Sequence, residues 1–597
     1  MIAVRWEWAL PLGHLALGCD ALSLAFLVPL GLVLAIVTPY AVGYMRPKHG
    51  HGAHDRGFWP AFGALALSMA LVVVARDGVL FLVAWEIMAI SSFFLVAHEH
   101  EREEVRQASL RYLIASHLGM ACLLPFFLLM ARHGTLFSEL AAPPGMASVL
   151  FVLALAGFGA KAGIVPVHVW LPDAHPAAPS PVSAVMSGLM IKMGLYGLLR
   201  ALTLLGSPLG WWGWTLIAVG VVSAVFGAAQ SLAQSDLKRL LAYSSVENMG
   251  LMVTGVGVGV LGWAHGQIGV AALGFAGALW HAFNHAAFKS LLFMGAGAVV
   301  RETGLRDLDR LGGLMKVMPQ TGTAFLFGAM ALAALPPMNA FGSEFLLYEG
   351  AFKGATSLGT PAPALLLGVL AMLAFTGAIA LALSAKAFGA AFLGTPRQAL
   401  TDVADPPAIM LYPMGVLAVL CVAVGMAAPW LPPAPSAPIG VIMGPGPVTL
   451  GGAIAPLSSV SFVSALGLAI AGGLFAIRRS LLAGRPVRTG PTWGCGYGNA
   501  SPRLQYTATS FSQPLAGAFR AALRPRIAET PVAGLFPAGA TFATTVPDVA
   551  DEAIYRSGYR LLSRSVSRLR WIQHGNVQLY VLYVALTLIV LLVWVLG

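Results

Sequence analysis

Apolar runs long enough to cross about 30 Å of hydrocarbon follow one another along almost the whole chain. They lie near residues 20–44, 57–75, 78–97, 109–131, 147–165, 180–204, 211–232, 237–260, 267–300, 318–350, 363–394, 411–431, 459–477 and 577–596. This pattern predicts an all-α polytopic membrane protein with about 14 transmembrane helices. The run at 267–300 is long enough for one bent helix or two shorter pieces. Prolines punctuate two of the runs: Pro166 and Pro172 after the fifth, and Pro336 with Pro337 inside the tenth. Proline removes a backbone donor and breaks or kinks a helix. Interruptions at corresponding places in two halves point to inverted repeats, here residues 57–204 and 211–394.

Around that core the chain divides into a helix and loop at 1–56, a core at 57–400, further transmembrane helices at 401–477, a basic loop at 478–576 and a last helix at 577–597. No secretory n-region, h-region and cleavage site precede the first span, so the start reads as mature sequence. The 478–576 segment is rich in Arg, Ser, Thr, Gly and Pro, with an amphipathic stretch from Ala550 to Arg570. A loop this long between spans is expected to be a docking surface for a soluble partner or lateral subunit rather than a solvated linker.

Composition changes the picture by exclusion. The chain is 58% hydrophobic and only 10% charged, against roughly 25% charged in soluble proteins. Such a chain cannot clothe a water-facing surface of this size. The net charge of +11 does not mark nucleic acid, because the basic residues are spread over loops and helix ends. If alternate span ends share a side, one side collects Arg46, Lys48, Arg56, Arg102, Arg106, Lys238, Arg239, Arg301, Arg306, Arg310, Lys316 and Arg397. The other collects Arg76, Arg132, Arg200 and Lys353. The rich side is then cytoplasmic, with the 478–576 loop on it and both termini opposite, in a multi-pass protein of the inner (plasma) membrane. The four cysteines, Cys19, Cys122, Cys421 and Cys495, have none of the close spacing an iron–sulfur cluster needs. No cofactor or metal is expected on this chain, and no activity from it alone.

A charge at mid-bilayer costs roughly 2.5–3.5 kcal/mol on insertion scales, so every ionisable residue deep in a span asks for a reason. Glu86 lies in GVLFLVAWEIMAISSFFLVA, Lys161 in LALAGFGAKAGIVPVHVWLP and Lys192 in VSAVMSGLMIKMGLYGLL. Lys289 follows His281 and His285 in ALWHAFNHAAFKSLLFMG. Glu344 lies in LPPMNAFGSEFLLYEG and Lys386 in LALSAKAFGAAFL. Lys386 is as readily a snorkelling lysine as a functional one, whereas Lys161 and Lys192 have Gly-rich apolar sequence on both sides. His281, His285 and Lys289 are spaced four and four, which stacks them on one helix face. A file of titratable groups facing one way is the shape of a proton relay, since histidine titrates near neutrality.

These motifs resemble a family. VAWEIMAISSFFLV, GAKAGIVPVHVWLPDAHPAAPSPVSAVMSGLMIKMGLYGL, SLAQSDLKRLLAYSSVENMG, HAFNHAAFKSLLFMGAGAV and LPPMNAFGSEF are similar to the antiporter-like membrane subunits of respiratory complex I, a family that includes Mrp sodium/proton antiporter subunits and the membrane arms of energy-converting hydrogenases. The resemblance covers about residues 15–400. It implies two inverted five-helix repeats with broken helices and a polar axis at mid-membrane. It also implies that Glu86 pairs with Lys161, that Lys192 bridges to the file of His281, His285 and Lys289, and that Glu344 is the terminal exchange residue. The stretch PTWGCGYGNASPRLQYTATSFSQPL resembles the C-terminal signature of the hydrogenase-4 and formate-hydrogenlyase branch. Members usually have two further helices before the part resembling GCDALSLAFLVPLGL, which this chain reaches within its first twenty residues.

The reading expected from residues and resemblance together is a proton-translocating membrane subunit of a complex-I-like redox complex. Its partners would be other membrane subunits and soluble electron-transfer subunits, with no nucleic acid. Two alternatives stay open: an Mrp-type sodium/proton antiporter subunit, and a structural subunit whose channel no longer conducts.

Overall fold

A computed structural model of the chain describes residues 2–6, 8, 13–46, 55–430, 433–444, 450–486, 501–530, 534, 539, 541–567, 582 and 585–587. The chain opens with a hairpin of β1 (Ile2–Trp6) and β2 (Leu15–Cys19) and is mainly helical from there on. The Asp20 carboxylate accepts from the Ser23 amide and caps α1 (Ala21–Met45), satisfying donors a helix start leaves bare. The helices α2 (Asp55–Val74), α3 (Gly78–Val96) and α4 (Glu103–Met130) follow, with Asp77 capping α3 in the same way.

The next span is interrupted. Helix α5 (Ala147–Ala162) stops at Gly163, whose φ of +73° is a left-handed conformation that glycine takes without penalty. The chain runs irregularly through Pro166 and resumes as α6 (Leu171–Ala177). The following span is α7 (Ser180–Val185), a π turn at Met186–Met190, and α8 (Ile191–Leu205).

A second set repeats the plan with α9 (Gly210–Ala233), α10 (Leu237–Ala264) and α11 (Ile268–Thr303). The run at 267–300 is therefore one continuous helix. The fourth span of the set is again broken, into α12 (Pro319–Leu332) and α13 (Asn339–Ser357), with Pro336 and Pro337 between them. Helix α14 (Ala362–Phe392) closes the set. Each set thus has five spans with the fourth interrupted. An odd number of crossings makes the second set enter from the opposite face, which is the inverted relation the proline pattern predicts. Helices α15 (Ala408–Met426), α16 (Pro433–Met443) and α17 (Gly451–Leu482) lie outside the repeats. Among the described residues ten helices are long and apolar enough to cross a membrane by length and composition. The expected span at 577–596 falls almost wholly outside the described residues.

Between helices in lipid, association depends on close packing of small residues. A Cβ at Gly220 would lie 2.5 Å from the Thr254 amide, one at Gly227 2.4 Å from the Glu247 amide, and one at Gly250 2.4 Å from the Ala224 amide. The backbones of α9 and α10 therefore touch along three successive levels. That contact makes α10 and α11 the buried centre of the molecule, and polar side chains there face protein rather than lipid.

Much of the 478–576 segment is folded onto the chain's own basic face. Helix α18 (Ala508–Ala518) packs on α9 and α14. The Gln505 amide donates to the Thr395 carbonyl at 2.7 Å, and the Thr509 amide to Asp309 Oδ1 at 2.8 Å. A short helix α19 (Arg520–Leu523), a hairpin of β3 (Arg526–Glu529) and β4 (Phe542–Thr545), and the amphipathic α20 (Arg556–Ser567) are further elements among its described residues.

Candidate functional site

Lys161 is the last residue but one of α5, and its side chain is buried. Its ammonium donates to the Tyr112 hydroxyl at 2.7 Å, and Tyr112 is hydrogen-bonded in turn to Ser92 of α3. The Tyr112 ring also lies beneath the ammonium, 5.0 Å from centroid to Nζ, so the lysine is held by a hydroxyl and by a cation–π contact. Glu86 stands elsewhere. Its carboxylate lies 3.8 Å from His117 Nε2 on the outer flank of α3 and α4, partly exposed. Among the described residues no ion pair joins it to Lys161, so the pairing implied by the resemblance is replaced here by Lys161–Tyr112 and Glu86–His117.

Helix α8 leans on α5 at this point. A Cβ at Gly194 would fall 2.5 Å from the Phe158 carbonyl and 2.6 Å from the Ala162 amide. Glycine at 194 thus brings Lys192, two residues earlier, alongside the end of α5. The π turn at Met186–Met190 immediately precedes Lys192. Such a turn widens the helix by one residue and frees a carbonyl. The Ser187 carbonyl accepts from Lys192 Nζ at 2.5 Å, and His285 Nδ1 stands 2.5 Å from the same nitrogen.

From His285 the polar groups continue along α11. His281, one turn back, has Nε2 3.0 Å from Asn248 Oδ1 and Nδ1 3.0 Å from Ser343 Oγ. The Asn248 side-chain carbonyl can only accept, so Nε2 carries the hydrogen and Nδ1 is the acceptor. Asn284 donates to Ser343 Oγ and to the Asn339 carbonyl, which fastens α11 to the start of α13. One turn the other way, the Lys289 ammonium donates to the Leu241 carbonyl at 3.1 Å and to Ser244 Oγ. His281, His285 and Lys289 are all fully buried, and the four-residue spacing does place them on one face. The second ring nitrogen of His285 and the side-chain oxygens of Asn284 and Asn339 have no partner within the protein. Buried polar atoms of this kind are where ordered water sits.

Glu344 follows Ser343 on the same turn of α13 and is partly exposed at the edge of the file. Lys386 lies apart from it. Its ammonium donates to the Leu232 and Gln234 carbonyls, both at 2.7 Å, and to Ser512 Oγ at 3.1 Å. Those carbonyls are the orphans left at the end of α9, so Lys386 ties α9, α14 and α18 together at the basic face.

Three groups go beyond the residues expected from sequence. Glu247 is buried in α10, within electrostatic reach of Lys289. It occupies the place in the second helix of its repeat that Glu86 occupies in α3, and aligning the two halves would have found it. Ser244, Asn248, Asn284 and Ser343 carry the file between the charged residues, and single polar residues in apolar helices give no such signal. His168 and Asp548 are the third: they are 380 positions apart in the chain and 3.0 Å apart in space.

Comparison with known proteins gives a consistent set of relatives. The profile of the family described as NADH:quinone oxidoreductase/Mrp antiporter, TM, matches residues 75–370, which hold every candidate except Lys386. Hydrogenase-4 component B of Escherichia coli is 36% identical over 99% of this chain and 91% of that protein. Formate hydrogenlyase subunit 3 of Escherichia coli is 36% identical over 88% of this chain and 84% of that one. A solved structure of the membrane-bound sulfane sulfur reductase, an archaeal respiratory membrane complex, superposes with a TM-score of 0.73 at 24% identity, over 99% of this chain and 92% of that chain, which shows a shared fold.

Proposed function

The chain belongs to the NADH:quinone oxidoreductase/Mrp antiporter family of membrane subunits, and from that premise we propose that it is the proton-translocating membrane subunit of a complex-I-like redox complex of the hydrogenase-4 or formate-hydrogenlyase type. In this reading it is a multi-pass protein of the bacterial inner membrane. It works with other membrane subunits and with soluble electron-transfer subunits docked on the cytoplasmic side, and it carries no cofactor of its own.

The observation that carries the reading is the file of buried polar groups from Lys192 through His285 and His281 to Ser343, beside Glu344, with one gap between the two imidazoles. A proton on Lys192 moves to His285 Nδ1 along a hydrogen bond already in place. It leaves from the unpartnered Nε2 through water to the neighbourhood of His281, 6.4 Å away between ring centres, because gaps beyond about 3.5 Å need a bridging water. His281 passes it towards Ser343, and Glu344 at the partly exposed edge hands it on. Lys161 with Tyr112 supplies Lys192 from the first half, Lys289 ends the file within electrostatic reach of Glu247, and Glu86 with His117 lies at the flank facing a neighbouring subunit. In this scheme Lys386 anchors the basic face.

The test is Lys192→Met in sealed vesicles carrying the complete complex. Electron transfer should continue or slow, while coupled proton uptake falls by at least about a hundredfold, the scale on which positioned acid–base groups act. Wild-type proton uptake in that variant would end the proposal. The family profile also names Mrp antiporters, and a sodium-dependent proton flux without any electron donor would decide for that second reading.

A further inference from the structure

The first break, between α5 and α6, is closed on the basic face by a distant part of the chain. Asp548, just after β4, sends Oδ2 to within 3.0 Å of His168 Nε2, and the Tyr243 hydroxyl donates to the same oxygen at 2.9 Å. Its other oxygen accepts from the Ala550 and Asp551 amides, and Gln230 of α9 donates to the neighbouring Pro547 carbonyl. His168 and Tyr243 are fully buried, while Asp548 retains 8% of its surface. That remaining surface faces a polar cavity of about 170 Å³ whose wall includes Asp173, Arg239, Asp551 and Arg556. On its inner side His168 has an Nδ1 with no partner. Two residues on, the Trp170 indole donates to the Ala160 carbonyl next to Lys161, and its ring packs on Tyr112, the residue that holds Lys161.

We propose that His168 and Asp548 form a proton-loading site at the first break, fed from that cavity and discharging towards Tyr112 and Lys161. The inference rests on the proton-translocating reading above and adds its point of entry. Burial alone would raise the Asp548 carboxyl, but the hydrogen bonds from His168 and Tyr243 hold it below the ordinary carboxylate range. The carboxylate is therefore ionised at neutral pH and passes a proton on rather than keeping it. The step is a proton transfer only. Starting from the Nδ1–H tautomer, cavity water protonates the Asp548 carboxylate, the carboxyl passes that proton to Nε2, and Nδ1–H releases one to water on the inner side. This leaves Nε2–H donating to the ionised Asp548, the contact seen here, and exchange of the tautomer resets the ring. No other bond forms or breaks. A carboxylate 380 positions away from its histidine thus makes the folded-back segment part of the pathway instead of a cover over it.

The experiment uses vesicles with the complete complex and measures proton uptake per electron transferred. Asp548→Asn keeps the shape and an acceptor oxygen but cannot hold a fixed negative charge, and it should lower uptake by at least about tenfold, with Asp548→Glu restoring most of it. Tyr243→Phe removes one of the two side-chain hydrogen bonds to Asp548 Oδ2 but leaves the carboxylate, and should keep at least half of the uptake. Full uptake by Asp548→Asn overturns the proposal. So does equal loss in Asp548→Asn and Tyr243→Phe, because that marks a latch. If the Asp548→Asn complex does not accumulate, His168→Gln carries the same test with the Tyr243–Asp548 bond intact. Lys192→Met in parallel separates the two levels: loss there with full uptake in Asp548→Asn removes the loading site alone, whereas full uptake in both removes the translocation reading.

Discussion

The two interrupted spans are built from the same device and finished differently. In the first, a glycine with positive φ ends α5, and an irregular stretch with a proline leads to α6. The ionisable residue, Lys161, precedes the break, is buried, and is held by a tyrosine. The opening towards the basic face is filled by Asp548 of the C-terminal segment. In the second, two prolines separate α12 from α13, and the ionisable residue, Glu344, follows the break and is partly exposed. What backs this break is α15: a Cβ at Gly425 would lie 2.0 Å from the Pro337 carbonyl. A break frees backbone groups that lipid cannot satisfy, so it survives only where protein or a water-lined space covers it. One break is covered by a segment carrying titratable groups, the other by a bare helix backbone. In the proposed scheme the first is the loading end and the second the release edge.

The sharpest way to break this contrast is at Lys161. With Lys161→Ala, Tyr112 and Ser92 still bond to each other while the lysine charge that precedes the first break is gone. Redox-coupled proton uptake in sealed vesicles should drop by at least about a hundredfold, with the complex inserted and assembled as before. Uptake near wild type would mean that the first half is not on the path. Next in size is Glu344→Gln. Glutamine keeps the shape and the hydrogen-bonding capacity of the side chain at this edge position, and the loss should be nearer tenfold, below the roughly hundredfold at which positioned acid–base groups begin to contribute. A larger loss than Lys161→Ala would reverse the assignment of loading and release.

How much of this was legible in the sequence depends on which physical signal each feature leaves. The spans are long apolar runs and declare themselves. The breaks are prolines, and Lys161, Lys192, His281, His285, Lys289 and Glu344 stand out because a charge or an imidazole in a lipid-length apolar run is rare. What leaves little trace is the direction in which a residue points. Glu86 and Lys161 are equally deep by sequence, yet one faces His117 on the flank and the other Tyr112 inside. The π turn that aims Lys192 has no proline or glycine signature distinct from the glycines around it. Lys386 reads as either a snorkelling or a functional lysine and lies where the end of α9 exposes its carbonyls, a meeting of three helices that no local pattern encodes. The contact between Asp548 and His168 depends on the whole course of the chain between them.

A smaller effect is expected from the second break's own support. Gly425→Ala puts a methyl group against the Pro337 carbonyl and the start of α13. Inserting such a group into a packed contact costs roughly 1–3 kcal/mol, which a thermal-shift measurement on the purified complex would register as a lower midpoint. The matching change in the first half, at exposed Gly57 with nothing near its Cβ, should leave the midpoint where it is. Equal effects at the two positions would show that α15 is not what holds the second break.

The smallest effect separates anchoring from conduction at Lys386. Its ammonium makes three hydrogen bonds, two to carbonyls at the end of α9 and one to Ser512 in α18. Ser512→Ala removes only the last and leaves the charge satisfied by the helix end, whose partial negative charge favours a cation there. A hydrogen bond to a charged group contributes about 1.5–3 kcal/mol when it is the group's main partner, but with two strong acceptors remaining the cost here should be at or below about 1 kcal/mol, seen as easier proteolysis between α18 and α17. Proton uptake should not change. If Lys386 were a transfer site fed through Ser512, the same substitution would slow uptake while leaving α18 in place. Loosening without slowing marks an anchor and slowing without loosening a conductor, so a single conservative change decides whether the basic end of α14 belongs to the pathway or to the scaffold around it.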